Sequence, residues 1–277
     1  IFDQLDRVLS VSRISYIKWD MNRYMSECYS RAADSAHQGT IMHRYIMGVY
    51  DLYSRLIAKY PDILFESCAS GGSRFDPGML YYAPQTWCSD DTDAVERTRI
   101  QYGTSIVYPI STIGAHVSAV PNHQLGRITP LETRAQVAYF GAFGYELDIN
   151  QLSPEEITQV RDQIAYYKKH RGLMQHGTFY RLRSPFNGDD TAWMSVSEDR
   201  KQAIAAYYQS LNKVNENWLR LRFAGLDEEL YYEVNWWDQK LTLYGSELMH
   251  VGLPIDRKQF TKRGGDFISL LIEIHAV

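Results

Sequence analysis

Near Arg183 the spacing of apolar residues changes from a helical period to strict alternation, and that change constrains what the chain can fold into. Beyond it, Trp218-Leu219-Arg220-Leu221-Arg222-Phe223 puts Leu219, Leu221 and Phe223 on one face and the arginines on the other. Residues 229–234 and 240–244 read as further strands, and residues 268–274 alternate through Ile268, Leu270, Ile272 and Ile274. Residues 183–277 are therefore expected to form a small antiparallel β-sandwich.

Residues 1–182 read differently, as short apolar strands alternating with amphipathic helices. A helix tail over 1–9 precedes a strand at 15–19. A helix over 40–60 carries Ile41, Tyr45, Val49, Leu52 and Leu56 on one face and stops at Pro61. A second strand at 63–68 runs into the turn Ala69-Ser70-Gly71-Gly72, and a short third strand leads to Asp90. The helix expected over 92–103 has Asp93 near its first turn, where an acid suits the dipole. A fourth strand spans 110–120. Thr129, Pro130 and Glu132 then have the spacing of a cap, a first helical position and a capping box. A fifth strand follows at 143–148. Ser153-Pro154-Glu155-Glu156 opens the last helix in the same way, with Ile157, Val160, Ile164 and Tyr167 as its buried stripe. Five such units predict a parallel sheet with polar residues where strands hand over to helices, as at the C-terminal face of a (β/α)8 barrel. Five units do not close eight strands, so either three more precede Ile1, the favoured expectation, or the chain associates with something else to cover the open sheet edges.

The 277 residues suffice for a full core. A hydrophobic share of 45%, a charged share of 22% and a net charge of −4 give no basis for nucleic acid or an anionic membrane as partner. The 21 Tyr and 6 Trp suit sugar stacking and an ordinary core equally. Cys28, Cys68 and Cys88 have neither metal-ligand spacing nor an even count, which favours a reducing, cytoplasmic setting.

Two acidic sites stand at strand ends. Asp20 closes Ser15-Tyr16-Ile17-Lys18-Trp19-Asp20-Met21-Asn22-Arg23, and Asp90 lies in Trp87-Cys88-Ser89-Asp90-Asp91-Thr92-Asp93. Two carboxyl groups facing each other across a cleft are what a glycosidase needs. Asp20 suits a helix N-cap as well, and Lys18, on its own strand face, is either a cation keeping it ionised or a plain structural partner. Asp90 points into the cleft in this reading, while Asp91 and Asp93 start the helix; neighbouring carboxylates and apolar Trp87 favour its protonated form. The same aspartates suit a divalent cation, but no phosphate loop accompanies them, and no metal or other cofactor is expected. Glu66-Ser67-Cys68-Ala69-Ser70-Gly71-Gly72 is either a tight turn or a place where backbone amides approach a ligand. His116 and His123 read as hydrogen-bonded core histidines before catalytic bases.

Together these segments, with Gly114-Ala115-His116-Val117-Ser118, Pro121-Asn122-His123, Phe143-Gly144-Tyr145-Glu146-Leu147 and the closing Gly265-Asp266-Phe267, resemble glycoside hydrolase family 36 in order and spacing. The resemblance implies a retaining α-galactosidase in which the chain supplies strands 4–8 of the barrel and the sandwich after it. It implies Asp20 as nucleophile and Asp90 as acid/base. It also implies Lys18 and Asn22 on galactose hydroxyls, Cys68 and Gly71 near the 2-hydroxyl, and Trp87 as a pocket wall. Melibiose- and raffinose-type substrates and a homotetramer are implied too. Galactosyl transfer, α-N-acetylgalactosaminidase activity and a non-catalytic carbohydrate-binding fragment remain the alternatives.

Overall fold

The computed structural model describes residues 1–22, 26–69, 74–215 and 218–277. The chain divides into two compact units, residues 1–90 and 91–277.

The first unit runs α1 (Phe2–Leu9), β1 (Tyr16–Asp20), α2 (Ile41–Lys59), β2 (Leu64–Cys68), α3 (Pro77–Tyr82) and β3 (Gln85–Thr86). Its three strands pair in parallel in that order, with Asp20 beside Cys68 and Ser67 beside Thr86. Parallel strands need covered faces, and α2 supplies one cover with buried Val49, Tyr53 and Leu56. Phe65, Met79 and Leu9 complete that core, with Ile17 and Trp19 packed against it. α3 begins on Asp76, whose side chain accepts from Met79 N at 3.0 Å.

The second unit begins with α4 (Ala94–Thr104), β4 (Gly114–Ser118), α5 (Leu131–Ala138), β5 (Ala142–Glu146) and α6 (Pro154–His176). β4 and β5 pair in parallel. All five expected parallel strands are present, but among the described residues they form two ladders rather than one sheet. Three local expectations change. Residues 110–112 form a 3-10 turn before β4, so the strand is half as long as its apolar run. Thr129 caps nothing: Pro130 is the N-cap of α5 without a side-chain bond, and Glu132 accepts from Gln136 instead. Ile157 is exposed, and α6 buries Tyr167, His170 and Met174 further along. Ser153 and Glu156 do form the reciprocal capping box, with bonds of 3.2 and 2.9 Å.

After α6 come β6 (Thr178–Arg183), β7 (Asp190–Val196), β8 (Gln202–Gln209), β9 (Trp218–Leu221), β10 (Tyr231–Trp236), β11 (Gln239–Tyr244), α7 (Gly245–His250), β12 (Leu253–Asp256), α8 (Lys258–Lys262) and β13 (Ile268–Ala276). Six of them form an antiparallel sheet in the order β11-β10-β13-β8-β7-β6, and β9 pairs with β12. One face of the large sheet shares a core with Leu219, Leu221, Leu253 and Ile255 of the small one, a β-rich, sandwich-like end. Its other face meets α5 and α6 of the same unit: Tyr208 OH donates to Gln136 O at 2.8 Å and Ser195 Oγ to Met174 O at 3.0 Å.

Candidate active site

Side-chain alternation on β1 decides which way the first acid points. Ile17 and Trp19 join the α2 core, Trp19 lying 4.9 Å from the Tyr53 ring, so Tyr16, Lys18 and Asp20 face the other side of the sheet. In-register pairing sets Glu66 beside Lys18, Gln85 beside Glu66, and Cys68 beside Asp20. Trp87 N donates to Ser67 O at 2.9 Å, which carries the β2–β3 ladder one residue further. Two rows therefore cross this face. Lys18, Glu66 and Gln85 form the lower one. Asp20, Cys68 and Trp87 form the upper one, about 6.6 Å nearer the C-terminal ends at ~3.3 Å per residue.

The lower row holds charge. Glu66 is 3% exposed; its Oε2 accepts from the Tyr16 hydroxyl and, at 3.2 Å, from Gln85 Nε2, while its Oε1 lies 4.0 Å from Lys18 Nζ. Burial first, and the Glu66 carboxylate second, hold the Tyr16 hydroxyl protonated far above the ordinary tyrosine range. The Lys18 ammonium also stands 4.6 Å from the Trp87 ring centroid, a cation–π contact. Lys18 thus pairs with Glu66, and Asp20 has Asn22 beside it, whose Nδ2 donates to Asp20 Oδ2 at 2.8 Å.

In the upper row Asp20 is exposed and Cys68 buried. Buried Arg74 ties the strand ends together, donating through Nη1 to Met21 O at 2.8 Å and through Nη2 to Cys68 O at 2.7 Å. Neither Arg74 nor Glu66 stands out in the sequence as a site residue. The available signal was a charged residue flanking the small-residue turn on either side. Asp90 is exposed, and Trp87 turns its N–H rather than an apolar edge to it, donating from Nε1 to Oδ1 at 3.1 Å. Gly71 lies outside the described residues.

The structure thus brings Lys18, Cys68 and Trp87 to one sheet face, with Asp20 at one strand end and Asp90 four residues beyond another. Hollows in the second unit, such as those lined by Arg183, Asp190 and Arg257 or by Arg134, Asp148 and Glu156, take in neither acid. β1 is the edge of its sheet, with no strand on its far side among the described residues.

In the second unit Asp93 is the N-cap of α4, accepting from Val95 N at 3.0 Å and Glu96 N at 3.1 Å; Asp91 accepts from Asp93 N. His116 Nδ1 lies 2.6 Å from Glu146 Oε2, whereas His123 is exposed, not a core histidine. Asn122 is the buried member of its motif and accepts from Gln124 N and Leu125 N.

Residues 1–177 match the Melibiase family model, and residues 190–274 match the glycosyl hydrolase family 36 C-terminal domain. The chain is 50% identical over 278 residues to α-galactosidase AgaA of Geobacillus stearothermophilus, covering 100% of this chain and 37% of that protein. It is 46% identical over 265 residues to α-galactosidase 1 of Pediococcus pentosaceus, covering 95% of this chain and 36% of that protein. It therefore spans little more than a third of the length of these relatives. Crystal structures of AgaA variants superpose on all of it, covering 37% of their own chains. The complex with raffinose gives a TM-score of 0.93 at 48% identity, and the complex with stachyose 0.92 at 48%. Beside a shared change elsewhere, each variant has one aspartate replaced, by asparagine in the raffinose complex and by alanine, earlier in the sequence, in the stachyose complex.

Proposed function

This chain belongs to the melibiase family of glycosyl hydrolase family 36, and on that footing we propose that it carries the catalytic carboxyl pair of a retaining α-galactosidase. β1 to β5 correspond in this reading to strands 4–8 of a (β/α)8 barrel. Asp20 then ends the fourth strand and Asp90 follows the sixth. The observation that carries the proposal is the shared sheet face: alternation and register aim Asp20, Lys18 and Trp87 to one side, and Trp87 holds Asp90. The two aspartates replaced in the AgaA variants stand as far apart in that sequence as Asp20 and Asp90 do in this one, which supports the same pair.

Asp90, protonated, gives its proton to the glycosidic oxygen while an Asp20 oxygen attacks C1 from the opposite side. The C1–oxygen bond to the leaving sugar breaks and a galactosyl ester on Asp20 forms. Asp90, now a carboxylate, takes a proton from water as that water attacks C1 and releases Asp20, giving galactose of retained α configuration. Such a pair works with its carboxyl groups about 5–5.5 Å apart. Asn22 fixes the rotamer of Asp20 and, with Lys18, offers donors to sugar hydroxyls. Cys68, with Gly71, shapes the side of the pocket near the 2-hydroxyl. Raffinose-type oligosaccharides and melibiose are the substrates this reading names.

The test is proton NMR of the first product from an α-galactoside. Initial release of α-galactose supports the double displacement, and initial release of β-galactose overturns it. Asp90→Ala should keep turnover only on substrates whose leaving group needs no proton.

A further inference from the structure

Lys18 has a flexible four-carbon stem with many rotamers, so something must hold its ammonium if it is to meet a sugar hydroxyl at low entropic cost. Glu66 is placed to do this. It is buried at 3% exposure in the row below Asp20, directly opposite Lys18 in the parallel register. Tyr16 and Gln85 donate to one carboxylate oxygen from the two flanking strands, which fixes the plane of the group. The other oxygen, Oε1, is buried without a hydrogen bond and lies 4.0 Å from Lys18 Nζ. A buried carboxylate oxygen left unbonded is costly, so this one pulls the ammonium toward it. From above, the Trp87 ring meets the same ammonium at 4.6 Å. The cation is thus held between an anion on β2 and an aromatic face just past β3, and the same indole reaches Asp90 through its N–H.

We propose that Glu66 is a positioning residue of the reaction, acting through Lys18. It sets the Lys18 ammonium against the Trp87 ring, at the height of Asp20, before substrate arrives. Glu66 touches no substrate. This inference rests on the α-galactosidase reading and deepens it: the sugar-binding cation is preorganised by a buried acid one layer below the nucleophile.

A double-mutant cycle on the protein expressed from its whole gene tests this, using an aryl α-galactoside and raffinose. Glu66→Gln keeps the shape and the acceptor for Tyr16 but removes the charge. With Lys18 present it should lower kcat/KM about tenfold, chiefly through KM, because a hydroxyl contact serves ground and transition state alike. In a Lys18→Met background the same change should cost less than about twofold. Tyr16→Phe, which loosens Glu66 without removing its charge, should show the same dependence on Lys18 at smaller size and serves if Glu66→Gln does not fold. Losses that add independently of Lys18, for both substitutions, overturn the role of Glu66. Wild-type turnover of the same substrates separates the two levels. An active wild type with additive losses removes only the positioning role, whereas an inactive wild type overturns the α-galactosidase reading and this inference with it.

Discussion

Trp87 Nε1 donates a hydrogen bond to Asp90 Oδ1 at 3.1 Å, while the face of the same indole carries Lys18 Nζ at 4.6 Å from its centroid. One side chain therefore sets two others, the proposed acid/base through its edge and a sugar-binding cation through its face. Trp87 is buried at 4% exposure, so both settings are made on a fixed support.

Trp87→Phe separates these two duties, since phenylalanine keeps a ring for Lys18 but has no N–H. In the cleavage step Asp90 is protonated and neutral, and a neutral hydrogen bond contributes about 0.5–1.5 kcal/mol, so losing the bond that orients it should lower kcat/KM on raffinose roughly 2- to 10-fold. An aryl galactoside with an activated leaving group should lose much less, because proton delivery matters less there. Equal losses on both substrates would show that Asp90 does not depend on this bond for proton transfer.

Asp93 should matter for stability and not for chemistry. It is 2% exposed, caps α4 through two backbone donors and pairs with Arg127. Asp93→Ala removes the cap and the pairing with Arg127, which is partly exposed and keeps Glu96 at 3.7 Å, at a cost of about 1–3 kcal/mol. Asp93→Asn retains the cap and should cost roughly half as much. Urea unfolding of the two variants checks the order; equal midpoints would contradict it.

His170 gives a pH dependence with a definite sign. It packs on the Tyr166 ring at 4.5 Å and is largely buried. Burial lowers its pKa below the ordinary value, an effect that Glu273 opposes and that Lys169 and His275 reinforce. The folded protein therefore binds this proton less readily than the unfolded chain. Stability from His170 is intact above about pH 6.5, falls as pH drops below it, and stops falling beneath the folded pKa. His170→Gln should flatten the stability profile between about pH 7 and pH 5. A profile as steep as that of the wild type would assign the acid sensitivity to other groups.

How much of this was legible in the sequence depended on how local the determinant was. Ser153 and Glu156 form their box because both bonds close within one turn. Thr129 and Glu132 have the same spacing, yet Thr129 is buried and Glu132 is engaged by Gln136. Leu219, Leu221 and Phe223 were read correctly because only one side of that segment meets the core. β7 and β8 went unread because both of their faces are covered. Ala192 and Met194 enter one core while Trp193 meets Phe140 and Tyr208 on the other side, so no polar alternation marks them. Asp20 and Asp90 were legible as acids after strands. The partner of Lys18 was not, because Glu66 reaches it through strand register, 48 positions away in the chain.

The sharpest check is to trap the intermediate. A 2-fluoro α-galactosyl donor with a good leaving group slows the second step of a double displacement, and peptide mass spectrometry then locates the sugar. A galactosyl adduct on the peptide bearing Asp20, lost in Asp20→Asn, is the expected result. An adduct on a different carboxylate, or steady turnover with no covalent species, would contradict the account.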